Sequence, residues 1–110
     1  MALINTRISV PRQVKANTIV EIKTLVSHPM ESGYRYDYMG EPIARNILMR
    51  FTCEYLGQPV LEAEFGPGIA ANPFMAFNVL ATKTGELVFT WTDQHGEVST
   101  ETRTLQVGGT

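Results

Sequence analysis

The feature that most restricts this chain is a two-residue alternation of apolar and polar side chains, repeated in short runs along its length. Val20, Ile22, Thr24 and Val26 alternate with Glu21, Lys23 and Ser27, and Pro29 ends the run. Phe51, Cys53 and Tyr55, with Met49 before them, alternate with Arg50, Thr52 and Glu54. Leu61, Ala63 and Phe65 then oppose Glu62 and Glu64. Successive strand residues point to opposite faces, so this pattern specifies half-buried β-strands. No long segment holds the 3.6-residue period of a helix, and none lies where a βαβ crossover would need one.

Further runs complete the set. Ile4, Ile8 and Val10 share a parity before Pro11, and Met75, Phe77, Val79 and Ala81 form a strand closed by Lys83, Thr84 and Gly85. Leu87, Phe89 and Trp91 form the next, and Asp93–Gly96 turns into a last strand over Val98–Val107. Apolar parity switches between Val98 and Leu105, which predicts a bulge or an edge position. Gly57, Gln58 and Pro59 are expected to turn the hairpin between Tyr55 and Leu61. About seven short strands with closely spaced turn signals predict an all-β, immunoglobulin-like sandwich. With 110 residues, a single domain over 1–110 is expected.

Two connections exceed ordinary turns. Pro29–Pro42 (PMESGYRYDYMGEP) holds Tyr34, Tyr36 and Tyr38, three of the four tyrosines. Long connections without regular structure are uncommon in compact domains and are often functional. The tyrosines suit either a partner-binding surface or a cover folded over one end of the sandwich. The second connection, Gly66–Pro73 (GPGIAANP), offers Ile69 as an apolar anchor.

Composition narrows the chemistry. Hydrophobic residues make up 44% and charged residues 18%, enough for a packed core. A net charge of −2 without any basic run argues against nucleic-acid binding. No apolar stretch approaches a membrane-spanning length, and Met1–Arg7 has neither the basic nor the apolar part of a secretory signal. On residues alone, the expected location is therefore the cytoplasm.

For a zinc-type site only His28, His95 and Cys53 are available, and nothing has zinc-ligand spacing. The iron site that superoxide reductases carry on a similar sandwich needs more histidines than this chain contains. His28 reads as a strand-end packing residue and His95 as a solvated turn residue. Cys53, mid-strand on the apolar parity, reads as an inert core thiol, and as the only cysteine it excludes an intrachain disulfide. No GxSxG sequence is present, and Gly66-Pro-Gly68 lacks the Gly-Lys-Ser/Thr that a phosphate loop requires. Glu62 and Glu64 read as the solvated face of a strand. No catalytic residue, metal or cofactor is expected.

Four segments carry a family resemblance. Lys23–Glu31 (KTLVSHPME), Phe51–Cys53 (FTC), Ala71–Pro73 (ANP) and Phe89–Asp93 (FTWTD), in this order, resemble SoxZ proteins, and the likeness runs from Ile4 to Val107. The resemblance implies a sandwich of the E-set kind and a non-catalytic role in a heterodimer with SoxY, in thiosulfate oxidation. In such complexes SoxY carries sulfur on a cysteine in a flexible Gly-Gly-Cys-Gly-Gly tail that visits the other Sox enzymes. Here Val107–Thr110 is glycine-rich but has no thiol. The resemblance also implies a periplasmic protein exported with signal-bearing SoxY, which replaces the cytoplasmic expectation. The rival reading is a small-molecule binding or redox domain that uses Cys53. Met30, Tyr34, Tyr36 and Ile69 are the expected contacts to SoxY or a docking Sox enzyme. The threonine-rich strand Val98–Val107 is the alternative face, and self-pairing of the isolated chain is left open.

Overall fold

The computed structural model describes residues 5–27, 36–42, 47–65 and 73–108. Nine strands occupy them: β1 (Asn5–Ser9), β2 (Val14–Lys15), β3 (Thr18–Ser27), β4 (Leu48–Tyr55), β5 (Gln58–Glu64), β6 (Phe74–Ala81), β7 (Gly85–Asp93), β8 (Val98–Leu105) and β9 (Val107–Gly108). No helix is present among the described residues. The order β1-β3-β6 forms one antiparallel sheet and β5-β4-β7-β8 the other, while β2 and β9 make a short parallel pair. The chain changes sheet after β3, after β5 and after β6, so the two sheets share one core as a sandwich.

The seven longer strands are those the alternation predicts. β2 and β9 were not expected, because two residues cannot display a period. The final strand is accordingly shorter than expected: it ends at Leu105, and Val107 leaves β7 to pair with Val14. The parity switch in β8 proves to be an edge effect and not a bulge. Its register with β7 runs unbroken from Gly85↔Leu105 to Thr92↔Val98, leaving Val98 on the outer face.

Two irregularities in β4 also differ from the simple pattern. The register against β7 slips between Leu48 and Arg50, so Met49 is the extra residue of a bulge. Leu48, not Met49, therefore enters the core. The β4–β5 turn is Leu56-Gly57, one residue earlier than expected. Both residues have positive φ, 55° and 77°, as a two-residue hairpin turn with the proper twist requires. Pro59 then lies inside β5, beside a second slip between Cys53 and Glu54.

Four aromatic rings hold the middle of the sandwich. Phe51 of β4 lies 5.1 Å from Trp91 and 6.4 Å from Phe89, both on β7, and 6.0 Å from Phe77 on the opposite sheet. Ile22, Val26, Val79, Leu87 and Leu105 close around them. At one end Tyr55 links two hairpins. Its buried hydroxyl donates to the Lys83 carbonyl and accepts from the N–H groups of Thr82 (3.2 Å) and Lys83 (3.1 Å).

Two stability predictions follow from these contacts. Trp91→Ala should cost about 3–5 kcal/mol, through lost burial and a residual cavity. Tyr55→Phe should cost about 1–3 kcal/mol, because it leaves three backbone groups of the β6–β7 turn without a partner. Chemical denaturation of both variants measures these losses. An unchanged midpoint for Trp91→Ala would mean that its ring faces outward.

Candidate interaction surface

Cys53 sits on the inward face of β4 with no accessible surface, opposite Leu61 on one side and Phe89 on the other. Burial, reinforced by the neighbouring Glu54 carboxylate, pushes its thiol up from 9.0 to about 12. A thiolate is the reactive form of cysteine, so this group is a poor nucleophile at physiological pH. His95 is an exposed turn residue, as expected, and donates its backbone N–H to Asp93 Oδ1 at 2.8 Å. His28 lies outside the described residues. Among the described residues, no group of three or more His, Cys, Asp or Glu side chains is placed to hold a metal ion. Glu62 and Glu64 point to solvent, and Glu62 meets Arg50 at 3.0 Å in an exposed cross-strand pair.

The described part of the tyrosine-rich connection, residues 36–42, is a hydrogen-bonded hairpin. Tyr36 and Pro42 pair as an antiparallel bridge, with Asp37–Glu41 as the tip. Asp37 Oδ1 accepts the N–H groups of Met39 (2.9 Å) and Glu41 (3.0 Å), and Asp37 N–H donates to the Glu41 carbonyl at 2.8 Å. Gly40, at φ +80°, donates to the Asp37 carbonyl at 3.0 Å. Asp93–Glu97 repeats this turn bond for bond. Asp93 Oδ1 accepts from His95 and Glu97, Asp93 N–H reaches the Glu97 carbonyl, and Gly96 has φ +83°. Both segments read Asp-x-x-Gly-Glu, a spacing that could have revealed the first hairpin from the sequence.

This tip presents Tyr36, Tyr38 and Met39 to solvent, with Tyr38 97% exposed. Tyr36 and Tyr38 therefore do not fold back as a cover over the sandwich. Met30, Tyr34 and Ile69, the other expected contacts, lie outside the described residues. The threonine-rich strand is also exposed at Thr100, Thr102 and Thr104. The half-buried Thr52 and Thr90 line up with Thr100 across β4, β7 and β8 on the outer face.

A third surface was not expected. On the outer face of the three-stranded sheet, Leu25 faces Phe74 and Ile19 faces Leu80, all four exposed. Arg7, Ser9 and Lys23 border an open groove beside Leu25 and Phe74. The signal lay in doublets that interrupt the alternation: Ile19-Val20, Leu25-Val26, Phe74-Met75 and Leu80-Ala81. In each, the first residue points out and the second points in.

Solved structures share this fold at low sequence identity. Superoxide reductase (neelaredoxin) from Ignicoccus hospitalis superposes with a TM-score of 0.70 at 17% identity, covering 94% of this chain and 80% of that one. The sulfur carrier protein SoxY from Chlorobium limicola f thiosulfatophilum gives 0.67 at 14%, over 94% and 78%. A putative superoxide reductase from Thermotoga maritima gives 0.66 at 12%, over 94% and 85%. These likenesses show a common fold and nothing more. No curated protein matches in sequence. The family described as "Sulphur oxidation protein SoxZ" matches residues 8–104, most of the length, and the chain belongs to the SoxZ family.

Proposed function

We propose that this protein is the non-catalytic subunit of a sulfur-carrier heterodimer with SoxY in thiosulfate oxidation. The observation that carries this reading is the state of Cys53, the only thiol in the chain. A sulfur carrier must bring its thiol to several enzymes in turn. Cys53 is fixed in a central strand, faces the core and is held in its protonated form by burial. Sulfur must then ride on the partner, and this chain contributes surface. The same burial weighs against the redox-domain reading. The complex is assigned to the periplasm, with export alongside signal-bearing SoxY.

For the contact itself we assign the hairpin that presents Tyr36, with Met30 and Tyr34 of the same Pro29–Pro42 connection and Ile69 of the Gly66–Pro73 connection. Exposed aromatic side chains on a backbone already fixed by hydrogen bonds lose little entropy on docking. A permanent heterodimer of this kind should bury roughly 2,000 Å² or more. The outer threonine face is left for weaker docking, since its exposed hydroxyls are costlier to desolvate than aromatic rings.

Thiol titration and partner mapping test the proposal separately. Native protein should react with a bulky disulfide reagent only on unfolding, and Cys53→Ser in the complex should leave thiosulfate-dependent turnover intact. The raised thiol also sets a pH dependence. The folded state holds this proton more tightly than the unfolded one, so its contribution is full below pH 9.0 and is lost as pH climbs toward about 12. Cys53→Ala should lack that alkaline loss when denaturation midpoints are compared. Stoichiometric labelling of native protein, or turnover lost on Cys53→Ser with folding unchanged, would place sulfur chemistry on this chain. For the contact, amide exchange over 36–42 should slow in the heterodimer, and Asp37→Ala should weaken pairing by about tenfold. Unchanged exchange there, with new protection along β8, would assign the interface to the threonine face.

A further inference from the structure

Four strands end the two sheets, and three of them carry features that discourage edge-to-edge pairing. β1 is five residues long, contains Arg7 and runs toward Pro11. β5 contains Pro59, Glu62 and Glu64 and lies against a register slip. β8 turns Glu101 and Arg103, paired at 3.2 Å, toward the core side of its sheet. β6 has none of these. Its eight residues, FMAFNVLA, include no charge, no proline and no register slip against β3.

Among the described residues, half of the backbone groups of β6 have no strand partner. Val26 N–H donates to the Pro73 carbonyl and Asn17 N–H to the Ala81 carbonyl, so the odd-numbered residues turn their peptide groups toward β3. By the alternation of an antiparallel ladder, Phe74, Ala76, Asn78 and Leu80 aim their N–H and C=O groups at the open edge. Among the described residues, no strand pairs with that edge. The side chains of the same four residues stand on the outer face, where Phe74 is 59% exposed.

We propose that the β6 edge pairs antiparallel with the β6 edge of a second copy of this chain, centred on Phe77. This register sets Phe74 against Leu80 of the other copy, and Ala76 against its Asn78. Both are pairings between residues whose peptide groups already face outward. Leu25 flanks Phe74, and Ile19 flanks Leu80. The joined face therefore carries an unbroken apolar row: Leu25, Phe74, then Leu80 and Ile19 of the second copy. Two-fold symmetry makes the same row twice. The rows between them run Lys23, Ala76, then Asn78 and Glu21 of the second copy, and each Lys23 keeps the Glu21 of its own strand at 3.6 Å. The apolar pairs Leu25–Phe74 and Ile19–Leu80 lie equally far along β6 from Phe77, so antiparallel self-pairing brings each onto the other, which selects a second copy over an unrelated strand.

Sedimentation of the isolated full-length chain tests this, combined with residue-resolved amide exchange. The wild type should show a monomer–dimer equilibrium. The amides of Phe74, Ala76, Asn78 and Leu80 should gain protection as concentration rises. Ala76→Lys puts a cation beside Asn78 of the other copy, and Asn78→Pro removes an edge N–H that β3 does not use. Each should weaken dimerisation by about tenfold or more, whereas Thr102→Lys on β8 should not. A melting curve like the wild type's for Ala76→Lys shows that the fold is kept. Four results would overturn the proposal. They are a monomer up to submillimolar concentration, a dimer indifferent to both β6 variants, a dimer equally sensitive to Thr102→Lys, and protection of these amides only when SoxY is added. None of these outcomes depends on the assignment of the hairpin or of Cys53.

Discussion

Phe51 is the contact on which the two sheets depend. It is the residue of β4 whose ring reaches both Trp91 beside it and Phe77 across the sandwich. A sheet with one apolar face has to bury that face against something, and here the aromatic cluster spans the two sheets at the centre. The strands on either side are positioned around it. Ile22 and Val79 pack from one sheet, and Leu87, Phe89 and Leu105 from the other. Cys53 lies one alternation beyond Phe51 and is drawn into the same layer. Its burial and raised thiol pKa are therefore consequences of the packing that makes the fold.

A core held this tightly leaves function to the surface. The surface is not uniform. The hairpin at 36–42 is set by one carboxylate satisfying two backbone donors and by a glycine in the left-handed region. That arrangement displays Tyr36, Tyr38 and Met39 without help from the core. The turn at Asp93–Glu97 uses the same bonds, but its Asp93 is buried, and Gln94 exchanges hydrogen bonds with the backbone of Ile47. One turn is thus tied to the body of the domain and the other projects from it. The local chemistry is identical, and only the position differs.

The sheet edges show a similar division. Charges, prolines and register slips protect β1, β5 and β8, while β6 is left apolar and continuous. Open edges of this kind are a hazard in an isolated protein, and they can be kept where they are occupied. The outer residues of β6 and β3 are apolar in the two cross-strand pairs that flank the centre of the strand. The face and the edge therefore form one continuous surface.

Apolar alternation along the chain specifies the class of fold and most of its core. Alternation at Val20–Val26, Phe51–Tyr55, Met75–Ala81 and Leu87–Trp91 named the inward residues, because side-chain direction in a strand is fixed by parity alone. It also placed Cys53 in the interior. Met49 departs from the alternation, since a bulge reverses parity without leaving a mark in composition. The hairpin at 36–42 is legible in part, since its Asp-x-x-Gly-Glu spacing occurs twice in the chain. Which strands lie side by side was beyond the sequence. Parity tells a residue whether it faces in or out, but not which strand becomes its neighbour. The open edge of β6, the outward pairing of Leu25 with Phe74 and the parallel contact of Val14 with Val107 were decided by tertiary structure. Each depends on residues far apart in the chain whose meeting is set by how two sheets close over one core.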